Sequence, residues 1–127
     1  MKRQEVSVLV VDDSEHIRAL FADTFKKVGI LNVYFSPNGE DGVELYKSMK
    51  QSIVFLDNMM PKLSGIEALK KIRAINPHAV VVMISAVSSF EIVQEAKKLG
   101  ASYYLVKPYS QAKVVELINT LLHVEGT

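Results

Sequence analysis

The stretch "IVFLDNMMP", residues 53–61, decides how the rest of the chain is read. Ile53, Val54, Phe55 and Leu56 form an unbroken apolar run, as in a strand covered on both faces. The run ends on Asp57, and a buried carboxylate is costly to keep ionised unless something shares its charge. What shares it is the question the sequence raises.

Similar short apolar runs stand on either side: "VSVLVV" at 6–11, "NVYFS" at 32–36, "AVVVMIS" at 79–85 and "SYYLV" at 102–106, with "SIVFL" at 52–56 between them. Their β-branched and aromatic residues favour strands. The intervening segments change period. Ile17, Leu20, Phe21, Thr24, Phe25 and Val28 recur every three to four residues, with Ser14 placed to cap the start and Gly29 to end the turn. Val43, Leu45, Tyr46 and Met49 repeat the pattern, weakened by Gly42. Ile66, Leu69, Ile72 and Ile75 follow before Pro77; then come Ile92, Val93, Ala96 and Leu99 before Gly100, and finally Val114, Leu117, Ile118, Leu121 and Leu122.

Strands alternating with amphipathic helices predict an α/β fold, a doubly wound, five-stranded parallel sheet of (βα)5 units covered on both faces. The chain has 127 residues, enough for one domain that buries roughly two thirds of its extended surface. The domain is expected over residues 1–123, with 124–127 a tail or the start of a linker. Fifteen basic against fourteen acidic residues leave no field to attract nucleic acid or an anionic membrane. No cysteine is present, which excludes disulfides and thiolate chemistry. No apolar run approaches the roughly 18 residues of a membrane span, and the amino terminus lacks the apolar core of a signal peptide, so a cytoplasmic protein without membrane insertion is expected.

In an open parallel sheet, ligands gather beyond the carboxyl ends of the strands. The first strand ends at Asp12 and Asp13, the third at Asp57, the fourth at Ser85, and the fifth at Lys107 followed by Pro108. Taken singly, these residues have plain roles. Asp12 and Asp13 suit a helix cap or turn, Ser85 suits a cap of the fourth helix, and Lys107 suits the surface. Together at one sheet edge they point to a site. Three converging carboxylates repel one another and call for a cation. His16, His78 and His123 fall away from strand ends, so an all-oxygen Mg2+ site fits better than zinc. A divalent cation, a lysine and a carboxylate held in line suggest phosphoryl transfer, with Asp57 as nucleophile and Ser85 as a hydrogen-bond donor.

The segments "VLVVDDS", "FLDNMMPKLSG", "MISA" and "YYLVKPY", in this order and spacing, closely resemble the receiver domain of two-component response regulators. That resemblance implies a flavodoxin-like sheet of strand order 2-1-3-4-5. It makes Asp57 the phosphoacceptor, Asp12 and Asp13 the acidic Mg2+ pair together with Asp57, and the Met59 carbonyl a further ligand. Lys107 becomes the phosphate-contacting lysine, Ser85 and Tyr104 the switch pair, and Pro108 the residue after a cis peptide bond. It also implies a sensor histidine kinase or histidine phosphotransfer protein as phosphoryl donor, and a downstream protein bound on the surface of the fourth helix, fifth strand and fifth helix. Phe90 and Tyr103 are candidate anchors there. Met59 and Val87, apolar where the family often carries polar side chains, imply slow self-dephosphorylation.

Similarity to single-domain chemotaxis regulators makes the flagellar motor switch a candidate target. A phosphorelay intermediate, the receiver part of a longer DNA-binding regulator, and a degenerate scaffold without phosphorylation are alternatives. A flavodoxin-like cofactor binder is disfavoured because Asp12 and Asp13 would repel a phosphate. An aspartyl hydrolase is disfavoured because Asn58 and Met59 supply no second acid after Asp57.

Overall fold

Each apolar run forms a strand and each helical pattern a helix in the computed structural model, which describes residues 1–60 and 62–124. After a short 3-10 turn, Arg3–Glu5, the order is β1 Ser7–Val11, α1 Glu15–Lys27, β2 Asn32–Ser36, α2 Gly39–Met49, β3 Ile53–Asp57, α3 Gly65–Ile75, β4 Val81–Ser85, α4 Phe90–Lys98, β5 Tyr103–Val106 and α5 Gln111–Leu122. Val124, at the start of the expected tail, packs against the core, and residues 125–127 of that tail lie outside the described residues. Among the described residues no helix is long and apolar enough to cross a membrane.

The helices start where short polar side chains satisfy their first free N–H groups. Ser14, Asn38, Ser64, Ser89 and Ser110 each accept a hydrogen bond from the N–H three residues on. Such a cap contributes about 1 kcal/mol. Ser89, not Ser85, therefore caps α4, because β4 runs on through Ser85 and leaves a loop before the helix. Gly29 and Gly100 follow α1 and α4 with φ of +82° and +93°, a region open to glycine.

The sheet is fully parallel in the order β2-β1-β3-β4-β5. Period-two alternation divides its side chains between two layers. Val8, Val10, Ile53, Phe55, Val82, Ile84 and Leu105 face α1 and α5, where Phe21, Phe25, Val114 and Ile118 bury against them. Leu9, Val11, Val54, Leu56, Val81 and Met83 face Val43, Tyr46, Leu69, Ile72 and Ala96 of α2, α3 and α4. Phe21 lies 5.6 Å from Phe25 and 5.5 Å from Phe55 between ring centroids, and each fully buried ring is worth about 1.5–3 kcal/mol.

Two positions depart from the helical reading. Leu20 and Met49 belong to apolar stripes in the sequence but are exposed, because Phe21 and Tyr46 already occupy the inward positions beside them. Gly42, which weakens α2 by propensity, is buried against β1. A Cβ there would lie 2.8 Å from a methyl of Val11, so glycine is what lets this helix approach the strand. The close approach keeps α2 against the strand that leads into Asp12.

Candidate functional site

Register brings the strand ends level. Val11 pairs with Ser36 and Leu56, Asp57 with Ile84, and Ser85 with Val106. The residues that follow, Asp12 and Lys107, therefore emerge beside Asp57 and Ser85 at the carboxyl edge. The Asp12 N–H donates to Ser36 O at 3.0 Å, and the Lys107 N–H to Ser85 O at 2.9 Å, extending the ladders one step into the site. Strand order changes direction between β1 and β3, where ligand crevices form in such sheets.

Ligand oxygens of Asp12, Asp13 and Asp57 lie within 4.8 Å of one another. Asp12 and Asp57 are buried and Asp13 is exposed. The Lys107 ammonium stands 3.3 Å from Asp57 Oδ1, and the Met59 N–H reaches the same oxygen at 3.5 Å. Asp12 Oδ1 accepts from the Ser14 N–H at 2.8 Å. In both buried acids the hydrogen bonds fall on one carboxylate oxygen, and the other accepts none among the described residues.

Three carboxylates face one ammonium, and the electrostatics register that imbalance. Burial pushes the Asp57 carboxyl above its ordinary range; Lys107 opposes the rise and Asp13 adds to it. Burial also raises Asp12, against the Ser14 hydrogen bond and with Asp57 adding repulsion. The donor set is entirely hard oxygen, with no thiol or imidazole in the cluster. These residues fit a small divalent cation such as Mg2+, which favours carboxylates plus water and would relieve the repulsion.

The remaining predicted residues occupy the rim. Ser85 is fully buried, and its Oγ accepts from the Val87 N–H at 3.0 Å rather than meeting Asp57. Tyr104 is half-buried, and its hydroxyl donates to the Val87 carbonyl at 2.6 Å. The Val87 peptide is thus held from both sides by these two side chains. The Lys107–Pro108 bond is cis. The side chains of Met59 and Val87 are 65% and 39% exposed beside the site. Phe90, at the start of α4, is 74% exposed, and Tyr103 lies beneath the Lys113 ammonium, 5.2 Å from its ring centroid.

Two neighbours of the site were given no role by the sequence. Arg18, on α1, donates from Nη1 to the Asp12 carbonyl at 2.7 Å. Tyr109 packs 6.4 Å from Phe21 with its hydroxyl buried and without a partner among the described residues, and burial with the charges of Asp12 and Asp57 pushes its pKa up to about 12. Both depend on contacts between α1 and the strand ends, which no local pattern encodes.

The chain matches the response regulator receiver domain family over residues 8–119. It is 39% identical to the chemotaxis protein CheY of Thermotoga maritima over 112 residues, covering 88% of this chain and 93% of that one. It is 41% identical to the CheY of Treponema pallidum over 117 residues, 91% of this chain and 81% of the other. Among solved structures it resembles a CheX–CheY–BeF3–Mg2+ complex from Borrelia burgdorferi, with a TM-score of 0.86 and 33% identity over 92% of this chain and 89% of that one.

Proposed function

The chain belongs to the response regulator receiver domain family, and on that premise we propose that it is a signalling switch of a two-component system, turned on by phosphorylation of Asp57. One observation carries the reading. Asp57 sits in a cluster of three acids with Lys107 on one of its oxygens and the other oxygen unclaimed among the described residues. A stability role alone would favour pairing or replacing these charges.

In the proposed reaction the free Asp57 oxygen attacks the phosphorus of a phosphohistidine on a sensor kinase or phosphotransfer protein. A P–O bond forms, the P–N bond breaks, and the imidazole leaves with the electron pair. Lys107 offsets charge on the phosphoryl oxygens and on Asp57, and its partial burial strengthens that effect. Asp12, Asp13, Asp57 and the Met59 carbonyl would hold Mg2+, which supplies neutralisation of the carboxylates and of the phosphoryl charge. The presence of BeF3 and Mg2+ in the Borrelia complex supports Mg2+ as the ion. Water later cleaves the acyl phosphate, returning the Asp57 carboxylate and inorganic phosphate. Exposed apolar side chains at Met59 and Val87 would slow that water's approach.

Readout would run through Val87. When the Ser85 hydroxyl turns to the phosphoryl group it gives up the Val87 N–H, freeing the peptide that Tyr104 holds by its carbonyl. The β4–α4 loop and the face made by α4, β5 and α5 then change together. Phe90 and Tyr103 lie on that face as anchors for a downstream protein, the flagellar motor switch being the candidate suggested by the chemotaxis relatives. Incubation with Mg2+ and a small acyl phosphate, followed by intact-mass measurement, tests the reading. One phosphoryl adduct, absent in Asp57→Asn, is expected; no adduct would leave a protein-binding scaffold.

A further inference from the structure

Asp12 has four polar groups, and three are already committed. Its N–H donates to Ser36 O, its Oδ1 accepts from the Ser14 N–H, and its carbonyl accepts from Arg18 Nη1 at 2.7 Å. Among the described residues Oδ2 accepts no hydrogen bond, which leaves it open to the acidic cluster. The bonds come from β2, from the cap of α1 and from within α1, so Asp12 is held at the junction of separate elements. The Arg18 bond is the shortest of the three and charge-assisted, hence the stiffest. Asp13, by contrast, is exposed, and no hydrogen bond to its side chain is recorded among the described residues.

We infer that Arg18 is a positioning residue for cation binding, fixing the β1–α1 turn by its hydrogen bond to the Asp12 carbonyl so that the free Asp12 oxygen faces Asp13 and Asp57. The inference rests on the proposed Mg2+ site. Ligand-orienting partners of this kind typically govern metal affinity by tenfold or more when they touch the ligand side chain, and Arg18 acts one step further back, through the backbone.

Charge and position make opposite predictions here. Removing a cation from the edge of a negative cluster would tighten binding of another cation. Loosening Asp12 would weaken it. Isothermal titration with Mg2+ on the full chain separates the two. Arg18→Met keeps the aliphatic stem and removes both donor and charge; its Mg2+ Kd is expected to rise about fivefold, and Arg18→Lys, which keeps a donor and the charge, should recover part of the loss. Thermal unfolding of the metal-free variants accompanies the titration, so that a change in affinity at unchanged Tm is assigned to positioning. An Arg18→Met protein that binds Mg2+ as tightly as the parent, or more tightly, overturns the inference and leaves the metal site standing. A parent protein that binds no Mg2+ overturns both.

Discussion

The two edges of the sheet handle their polar groups in opposite ways. At the amino-terminal edge, Ser7 and Ser52 exchange backbone-to-side-chain hydrogen bonds of 3.1 and 2.9 Å across β1 and β3, and their hydroxyls meet at 3.2 Å. The Val81 N–H finds the Ser102 hydroxyl, and Arg73 covers the Ala79 carbonyl. That edge closes on itself, apart from the buried Gln51 amide, which has no partner among the described residues. At the carboxyl edge the acids converge with one lysine among them, and the buried pair keep an oxygen open. Polar groups that complete one another hold the fold, whereas charged groups that converge with open oxygens mark where a ligand belongs.

Substitutions at the two edges should therefore separate function from stability. Lys107→Met breaks the comparison hardest: phosphoryl uptake, followed as the initial rate of adduct formation by mass, is expected to fall by about 100-fold or more, with little loss of stability. Unchanged uptake would mean that the ion pair with Asp57 is merely structural. At the other edge Ser52→Ala leaves the Ser7 N–H without its partner and should cost about 1–2 kcal/mol in urea unfolding, with phosphoryl uptake unaltered. A loss of uptake there would show that the edges are coupled.

Met59→Asn sharpens the picture at the rim. A polar side chain in place of an exposed thioether should speed decay of the phosphorylated protein by several-fold, under about 1.4 kcal/mol of barrier. An unchanged decay rate would remove the shielding role of Met59.

The smallest expected effect concerns pH. Asp12 and Asp57 are both raised from 3.8 by burial, so the folded protein holds protons that the unfolded chain has released. Stability from these groups is therefore greatest when they are protonated and declines as pH rises from about 4 through the folded values. In metal-free buffer Asp57→Asn should lose less stability than the parent as pH rises from about 4. Parallel pH profiles for the two proteins would contradict the electrostatic account.

The fold was legible because each layer depends on short periods. Ile53 to Leu56 read as a two-faced buried strand and are buried on both faces; Phe21 and Phe25 fall on the helical stripe and fill the core. The acids, Ser85 and Lys107 were legible for a related reason: once the strands are placed, parallel register brings their ends to one level. What stayed hidden lies between elements. Gly42 read as a flaw in α2 until the methyls of Val11 were beside it, and Arg18 offered no role until its guanidinium met the Asp12 carbonyl. The Val87 peptide was equally silent, because backbone atoms carry no sequence signal of their own.

Chemical mapping of the phosphorylated residue tests the central claim most directly. After reaction with Mg2+ and a small acyl phosphate, borohydride reduction converts an aspartyl phosphate to homoserine, which peptide sequencing by mass locates. Reduction at position 57 alone is predicted. Homoserine at position 12 or 13, or no homoserine at all, would contradict the assignment of Asp57 as the phosphoacceptor.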